Sequence, residues 1–400
     1  MINILYLHAG AEMYGSDKVM FDLIRGLDKS KYKPSVLLPT EGVLANALRE
    51  EGTEVSVVPY PVLRRKYFKP RGILRYGINY CRFAARIKDY AKEHHIDIIH
   101  TNTAAVLEGC YVSRKLKIPQ LWVIHEIIVQ PDFVYKFTSK LIAQYSDRVI
   151  SVSDAVKKHL EKTGYFRPDM LRVIYNAVDT ERFKPEYERN PQKQAIREEF
   201  HIPANSVVIG MVGRINRWKG QKELLLASGK LMGKYPNLYT IFVGSVYEGE
   251  EWREKELNEL INTSPYSRRI INAGYRSDTE CFFNLFDVFV LPSTEPDPLP
   301  TVVLEAMAVG KPVVGYRHGG ICEMVVEGET GLLAEVGNTE ELGEKIDILI
   351  ADKEKRTQMG SRARARLLQH FSKQGFINSY SDEYDVLAKK KSCNKEKDGK

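Results

Sequence analysis

Short runs of β-branched and aliphatic residues alternate with longer amphipathic stretches along most of this 400-residue chain. No other feature constrains the fold as strongly. A strand, a helix and a second strand in succession make a parallel pair, and repeated units cover both faces of the sheet with helices. In the first half the pattern predicts strands at 3–7, 35–38, 54–58, 97–100, 121–124, 148–152 and 171–174. Helices are expected between them at 18–27, 44–50, 74–93, 104–115, 133–145 and 156–162. The alternation lapses over 176–204, a polar stretch punctuated by Pro185, Pro191 and Pro203, and such a lapse reads as a boundary between domains. It resumes with strands at 207–212, 239–243, 269–272, 288–291 and 312–314, and with helices at 222–235, 251–262, 279–285 and 302–309. Helices at 339–351, 354–369 and 372–388 follow, and the charged tail 389–400 is expected to be disordered. The expectation is therefore an α/β protein with domains at 1–185 and 205–371, joined by a linker at 186–204.

Composition narrows the class. No run of eighteen apolar residues is present to cross a membrane. The opening Met1-Ile2-Asn3-Ile4-Leu5-Tyr6-Leu7 has no basic leader and reads as a first strand. Cys81, Cys110, Cys281, Cys322 and Cys393 are scattered without metal-ligand spacing, a usage that fits a reducing cytosol. Charge is uneven. Residues 1–185 hold 29 Lys and Arg against 20 Asp and Glu, whereas the rest hold 30 against 32. Between Pro61 and Lys92 there are ten basic residues and one acid, Asp89. The stretch 64–71, Arg64-Arg65-Lys66-Tyr67-Phe68-Lys69-Pro70-Arg71, interleaves cations with aromatics as membrane-surface segments do. A solvated helix face is the plainer reading of the same residues, and nucleic acid is not expected because the excess is confined to one patch.

The segment 287–309 is the richest in chemistry. Asp287-Val288-Phe289-Val290-Leu291-Pro292-Ser293 reads as a buried strand ending in a turn. Asp297 then lies in the loop beyond the strand's carboxyl end, and Glu305, eight residues on, lies about one turn into the next helix. Open parallel sheets bind ligands at that edge, and a helix start adds amides and a positive dipole end for an anion. Two carboxylates around an anion hole suit a ligand with both hydroxyls and phosphates, as a sugar nucleotide has.

This segment resembles the E-x7-E motif of retaining glycosyltransferases of the GT-B fold, in particular glycosyltransferase family 4, whose usual form is Glu-Gly-Phe-Gly-(Leu/Val)-x-x-Leu-Glu-Ala. Here the first acid is Asp297, and Pro298 and Pro300 stand at glycine positions. Glu295 competes for the first-acid role, but Asp297 keeps the spacing. Because Pro300 has no N–H, ligand amides would have to come from Leu299, Thr301 and Val302. Gly213-Arg214-Ile215-Asn216-Arg217-Trp218-Lys219-Gly220 is similar to the family's diphosphate-binding Gly-Arg…Lys-Gly segment, which assigns that task to Arg214 and Lys219. Gly15-Ser16 after the first strand corresponds to the family's Gly-Gly, though a simple helix N-cap turn with Ser16 as the cap reads equally well. His125-Glu126 matches a His-Asp/Glu pair whose histidine contacts the transferred sugar. Nearby His100, Thr101 and Asn102 are read as lining without a role. Asn272-Ala273-Gly274-Tyr275 resembles a base-pocket segment with Tyr275 toward the base, and Asn176-Ala177-Val178-Asp179 and His318-Gly319-Gly320 match in order and element alone.

The resemblance covers roughly residues 1–388 and implies two Rossmann-like domains across a cleft, with the 372–388 helix crossing back to the N-terminal one. It implies a retaining sugar transfer from a UDP- or GDP-sugar to a glycan or lipid-linked saccharide acceptor in bacterial surface-polysaccharide assembly. An anionic membrane surface would then meet the 64–71 patch at the inner face of the plasma membrane. No Asp-x-Asp is present, so neither a metal nor any other cofactor is expected. Two other readings stay open, a catalytically silent sugar-nucleotide-binding or assembly protein and a sugar-nucleotide 2-epimerase on the same fold.

Overall fold

The computed structural model describes residues 1–64, 67–186 and 191–398, with side chains to Lys391. Arg65 and Lys66 of the basic patch lie outside the described residues. The chain forms two compact units, one of Met1–Asn176 with the segment from Gln374, the other of Ala177–Lys373.

The first unit is built on a seven-stranded, wholly parallel sheet of β1 (Ile2–Leu7), β2 (Tyr32–Leu38), β3 (Glu54–Val57), β4 (Ile98–Thr101), β5 (Gln120–Ile124), β6 (Arg148–Ser151) and β7 (Leu171–Val173). Their order is β3-β2-β1-β4-β5-β6-β7, so the winding reverses between β1 and β4. With helices on both faces the central strands bury both sides of their pleat, hence the continuous apolar runs: every residue of β5 is buried, as are Ile4 to Leu7 of β1. The C-terminal helix Lys373–Asp398 belongs to this unit from Gln374 onward. Phe376, Tyr380, Tyr384 and Leu387 recur at helical spacing and are buried. Arg148 reaches Glu383 at 2.9 Å, and Tyr32 donates to Asp385 at 2.8 Å.

The second unit repeats the plan with β8 (Val207–Val212), β9 (Leu238–Val243), β10 (Ile270–Asn272), β11 (Val288–Leu291), β12 (Val313–Tyr316) and β13 (Gly331–Ala334), in the order β10-β9-β8-β11-β12-β13. The reversal lies between β8 and β11, again a place where loops at the carboxyl ends part and leave room for a ligand. β12 begins one residue later than the pattern predicts, because Pro312 has no N–H for the ladder. It supplies only its carbonyl, to the Phe289 amide at 3.1 Å.

Three expectations need correction. The linker 186–204 contains the helix Pro191–Glu199, which starts on a proline suited to a first helical position and buries Ile196. The second unit begins at Ala177, ahead of the expected boundary at 185. Phe183 is buried edge-on to Phe283 at 5.8 Å, and Arg182 bonds Glu280 at 2.7 Å. The tail 389–400 is helical to Asp398, with Lys391 tied to Asp97 at 2.8 Å and to the Ile96 carbonyl at 2.7 Å. Its cations find carboxylates on the first sheet, so charge fastens this stretch where composition alone pointed to disorder.

Candidate functional site

In the second unit the loops after β8, β11 and β12 meet at the switch point. The Asn216 carboxamide oxygen accepts the amides of Trp218 and Lys219 at 3.1 and 2.9 Å, a local turn that fixes the Gly213–Gly220 loop. Gly220 (φ +93) closes it, and a Cβ there would lie 2.0 Å from the Pro292 carbonyl oxygen, so only glycine lets the β8 and β11 loops approach. The Thr294 amide then bonds the Trp218 carbonyl at 2.7 Å.

That clamp brings Lys219 to Asp297, with Nζ 2.5 Å from Oδ2 and side chains 14% and 12% exposed. Glu295, the rival for the first-acid role, pairs instead with Arg217 in a more open ion pair, 45% and 67% exposed. The buried partner of Lys219 is therefore Asp297. Arg214 lies with its guanidinium 3.8 Å from the Tyr247 ring centroid, which holds the fork at the loop's edge, and its carbonyl accepts from Gln221 at 2.8 Å.

The helix Thr301–Ala308 starts directly after this loop, with Pro300 as N-cap and no capping side chain. The Val303 amide bonds the Pro300 carbonyl at 3.0 Å, which leaves Thr301 and Val302 at the open first turn, where amides have no helical acceptor. Leu299 is buried, so only its main chain could meet a ligand, and Glu305 is buried one turn further along. The His318-Gly319-Gly320 turn, read from sequence as a marker alone, supports this loop from behind. The Gly320 amide bonds the Asp297 carbonyl at 2.8 Å, and a Cβ on Gly319 (φ +63) would sit 2.5 Å from the same oxygen. His318 Nε2 donates to the Ser293 carbonyl at 2.5 Å. Tyr275 follows β10, two strands from β8 in the sheet order. At 66% exposure it joins the carboxyl edge without packing into the cluster.

The first unit gathers a different set. Tyr14, not Ser16, is the N-cap of the helix Gly15–Gly26, and the Asp17 carboxylate accepts the Tyr14 amide at 3.0 Å, so the Ser16-cap reading is corrected. Gly15 is exposed and Ser16 half-buried at the helix start. Asp17 also takes His8 Nε2 at 2.6 Å. Burial pushes the Asp17 carboxyl up, but the bonds from His8 and from the Tyr14 and Met13 amides outweigh it and hold it below the usual carboxylate range.

From His8 the bonds run on through Asn102. Its amide nitrogen donates to His8 Nδ1 at 3.2 Å, and its oxygen lies 3.1 Å from His125 Nε2 and 3.3 Å from His100 Nε2. One assignment satisfies every member: His8, His100 and His125 each carry the proton on Nε2. His100 Nδ1 then accepts from the Tyr384 hydroxyl at 2.7 Å, and Tyr384 accepts from Tyr6 at 2.8 Å. Burial pulls His125 down to about 3. Burial likewise pulls His100 down to about 3. Both are neutral at pH 7, and His125 keeps Nδ1 as an acceptor. Glu126 is raised by burial and fastened by the Thr103 hydroxyl and the amides of Ala104 and His125, so it anchors a loop.

His100 and Asn102 are thus not lining without a role: both are buried in this network, and Asn102 holds three histidines. Sequence reasoning passed over His8 and Asp17 and gave Asn102 no role. The available signal was positional, since His8 and Asn102 are the residues immediately beyond β1 and β4, the strands flanking the switch point.

Comparison with known proteins agrees with both halves. The family described as "Glycosyltransferase Family 4" matches residues 14–182, and that described as "Glycosyl transferases group 1" matches residues 192–366. The chain is 25% identical to the lipopolysaccharide core biosynthesis glycosyltransferase LpsE of Rhizobium meliloti, over 84% of this chain and 92% of that one. It is 27% identical to the capsular polysaccharide biosynthesis glycosyltransferase CapM of Staphylococcus aureus, over 64% and 66%. Among solved structures, Anabaena HepE in complex with UDP and glucose superposes with a TM-score of 0.84 at 25% identity, over 96% of this chain and all of that one. The sheet orders, the loop cluster and these likenesses place the fold among the GT-B enzymes, and the chain belongs to the group 1, family 4 glycosyltransferases.

Proposed function

We propose that this glycosyltransferase moves a sugar from a nucleotide diphosphate donor to a saccharide acceptor with retention of anomeric configuration, in the assembly of a surface polysaccharide. One observation carries the donor half: Arg214, Lys219, Asp297 and the open amides of Thr301 and Val302 converge at the switch point of the second sheet. HepE, solved with UDP and glucose, supports a donor of this kind, and LpsE and CapM support the polysaccharide setting.

In this reading Arg214 and Lys219 take the diphosphate, aided by the amides of Leu299, Thr301 and Val302, and Glu305 takes the ribose hydroxyls. Tyr275 lies against the base. Asp297, now paired with Lys219, exchanges that partner for a sugar hydroxyl as the lysine turns to phosphate. In the first unit Gly15 and Ser16 offer the start of a helix, and His125 presents Nδ1 to a hydroxyl of the sugar. The bond from the anomeric carbon to the phosphate oxygen breaks, the acceptor oxygen bonds to that carbon on the same face, and its proton passes to the departing phosphate. The diphosphate's charge is met by preorganised donors and not by a divalent ion. No helix among the described residues is long and apolar enough to cross a membrane, so a lipid-linked acceptor would be met from the surface.

Thermal stabilisation by UDP-, GDP- and ADP-sugars tests the donor half. One donor class should raise the melting temperature in the native protein and fail to do so in Arg214→Ala. A flat response to every donor would reject it.

A further inference from the structure

The helices Pro70–Glu93, Glu108–Leu116 and Asp132–Tyr145 of the first unit enclose a cavity of about 870 Å³ that no part of the donor site uses. Among the described residues, eight of the seventeen that line it are aromatic, including Tyr76, Tyr80, Tyr111 and Tyr145, and none is acidic. Its mouth is apolar and open to water: Ile73, Phe133 and Phe137 are 60%, 61% and 54% exposed. Leu74 and Ile78, on the same helix as Ile73, are also exposed. A contiguous exposed patch of this kind marks a binding surface more often than it marks idle surface.

The charged residues of the lining are cations. Arg114 donates to the Tyr145 hydroxyl at 3.1 Å, and Lys115 stands over the Tyr111 ring at 5.9 Å. Both lay their stems along aromatic walls and keep their charges in solvent at the rim. Arg64, Lys69, Arg71 and Arg75 add exposed positive charge at and before the start of the Pro70–Glu93 helix. An apolar interior with a cationic rim complements a molecule with an anionic head and a hydrocarbon tail. A nucleotide or free sugar would find polar groups on these walls only at tyrosine hydroxyls and the two rim cations, against a mostly hydrocarbon and ring surface.

We propose that this cavity takes the hydrocarbon tail of a phosphate-bearing lipid whose head carries the saccharide acceptor, with Arg114 and Lys115 at the phosphate. The identity of the cargo rests on the transferase reading; the tail site does not.

Farnesyl phosphate with a diazirine at its tail end, photolysed with the full chain and mapped by mass spectrometry, tests the site. Labels should fall on Pro70–Glu93 and Asp132–Tyr145, be displaced by unlabelled farnesyl phosphate, and drop about tenfold in Ile73→Asp and in Phe137→Asp. Both positions are exposed, and unchanged melting curves would show that the variants fold. Farnesol should label less than the phosphate, and Arg114→Glu with Lys115→Glu should remove that difference. Labels elsewhere, or labelling indifferent to Phe137→Asp, would overturn the proposal. Binding to anionic vesicles without tail labelling would overturn it in favour of a flat membrane contact. A dimer in sedimentation that Ile73→Asp dissolves, with no labelling, would assign the face to a second copy. Failure of the two readings is separable. Labelling without sugar transfer to any acceptor sinks the transferase reading alone. Transfer to a lipid-linked acceptor with unchanged KM in both Asp variants sinks the tail site alone.

Discussion

The two units share a winding order around their switch points but fill them with opposite chemistry. In the first, Asn102 holds His8, His100 and His125 in one network, in which His100 and His125 are neutral. In the second, Lys219 and Asp297 form a close ion pair beside the amides of a helix start. A neutral network fixes direction, since each donor has one acceptor and each ring one tautomer. An ion pair beside open amides stores charge that can be handed to a ligand. The same scaffold therefore yields one region suited to orienting hydroxyls and another suited to holding an anion.

The largest expected effect comes from breaking the charged side of that comparison. Lys219→Ala leaves Asp297 without its partner and, on the proposed donor reading, removes a phosphate donor. Turnover should fall by about 10²- to 10³-fold, the scale for losing one preorganised donor in an active site. Asp297→Asn on that background should cost less than the sum of the two single changes, because the pair acts as a unit. Steady-state kinetics on the four proteins of this cycle measure it. Strict additivity would mean that the contact does not matter to the reaction.

Asn102→Ala breaks the neutral side. It leaves three buried ring nitrogens without their partner at a cost of about 1–3 kcal/mol for each unsatisfied group, offset in part by relaxation. A fall in unfolding free energy of about 3 kcal/mol is expected in denaturant. Donor affinity, read by calorimetry, should hardly change, whereas kcat should drop. Loss of donor binding comparable to that of Lys219→Ala would dissolve the distinction between the regions.

The regions should also separate on acidification. His100 and His125 are depressed to about 3 in the folded protein, well under the value of about 6.5 for an exposed histidine. Between those values the unfolded chain binds protons that the folded one does not. The stabilising effect is therefore whole above pH 6.5 and is lost as pH falls toward 3, by up to about 1.4 kcal/mol per pH unit for each histidine. Hydrogen exchange at pH 7 and 5 should show the β4 and β5 amides losing protection before those of β8 and β11. Simultaneous loss would count against the buried neutral imidazoles.

These contrasts were only partly legible in the sequence. The strands were, because a parallel sheet covered on both faces writes itself as unbroken apolar runs. The second-unit cluster was nearly so, since Arg214 to Lys219 and Asp297 to Glu305 are each contiguous and sit where strands end. The neutral network was not. His8 meets a partner 94 residues away, and His100 meets Tyr384 at a separation of 284. No periodicity tells a buried imidazole from one in a loop. The helix Pro191–Glu199 and the helical tail were missed for a similar reason: Ile196 and Lys391 act through partners that composition does not name.

The gentlest test concerns how far the C-terminal helix reaches into that network. Tyr384 stands between Tyr6 and His100, so its hydroxyl is the link that joins the helix to the Asn102 cluster. Tyr384→Phe keeps the ring packed against Tyr32 and Tyr380 and deletes only that oxygen. The expected loss is about 1 kcal/mol of stability, the worth of a satisfied bond less what His100 and Tyr6 recover. If the link orders the imidazoles as well as holding the helix, kcat should fall a few-fold while the donor Kd stays put. The effect should vanish when Asn102 is already alanine, since the connection to His125 is then cut. An undiminished effect on that background would confine Tyr384 to packing and leave His125 positioned by Asn102 and its own loop.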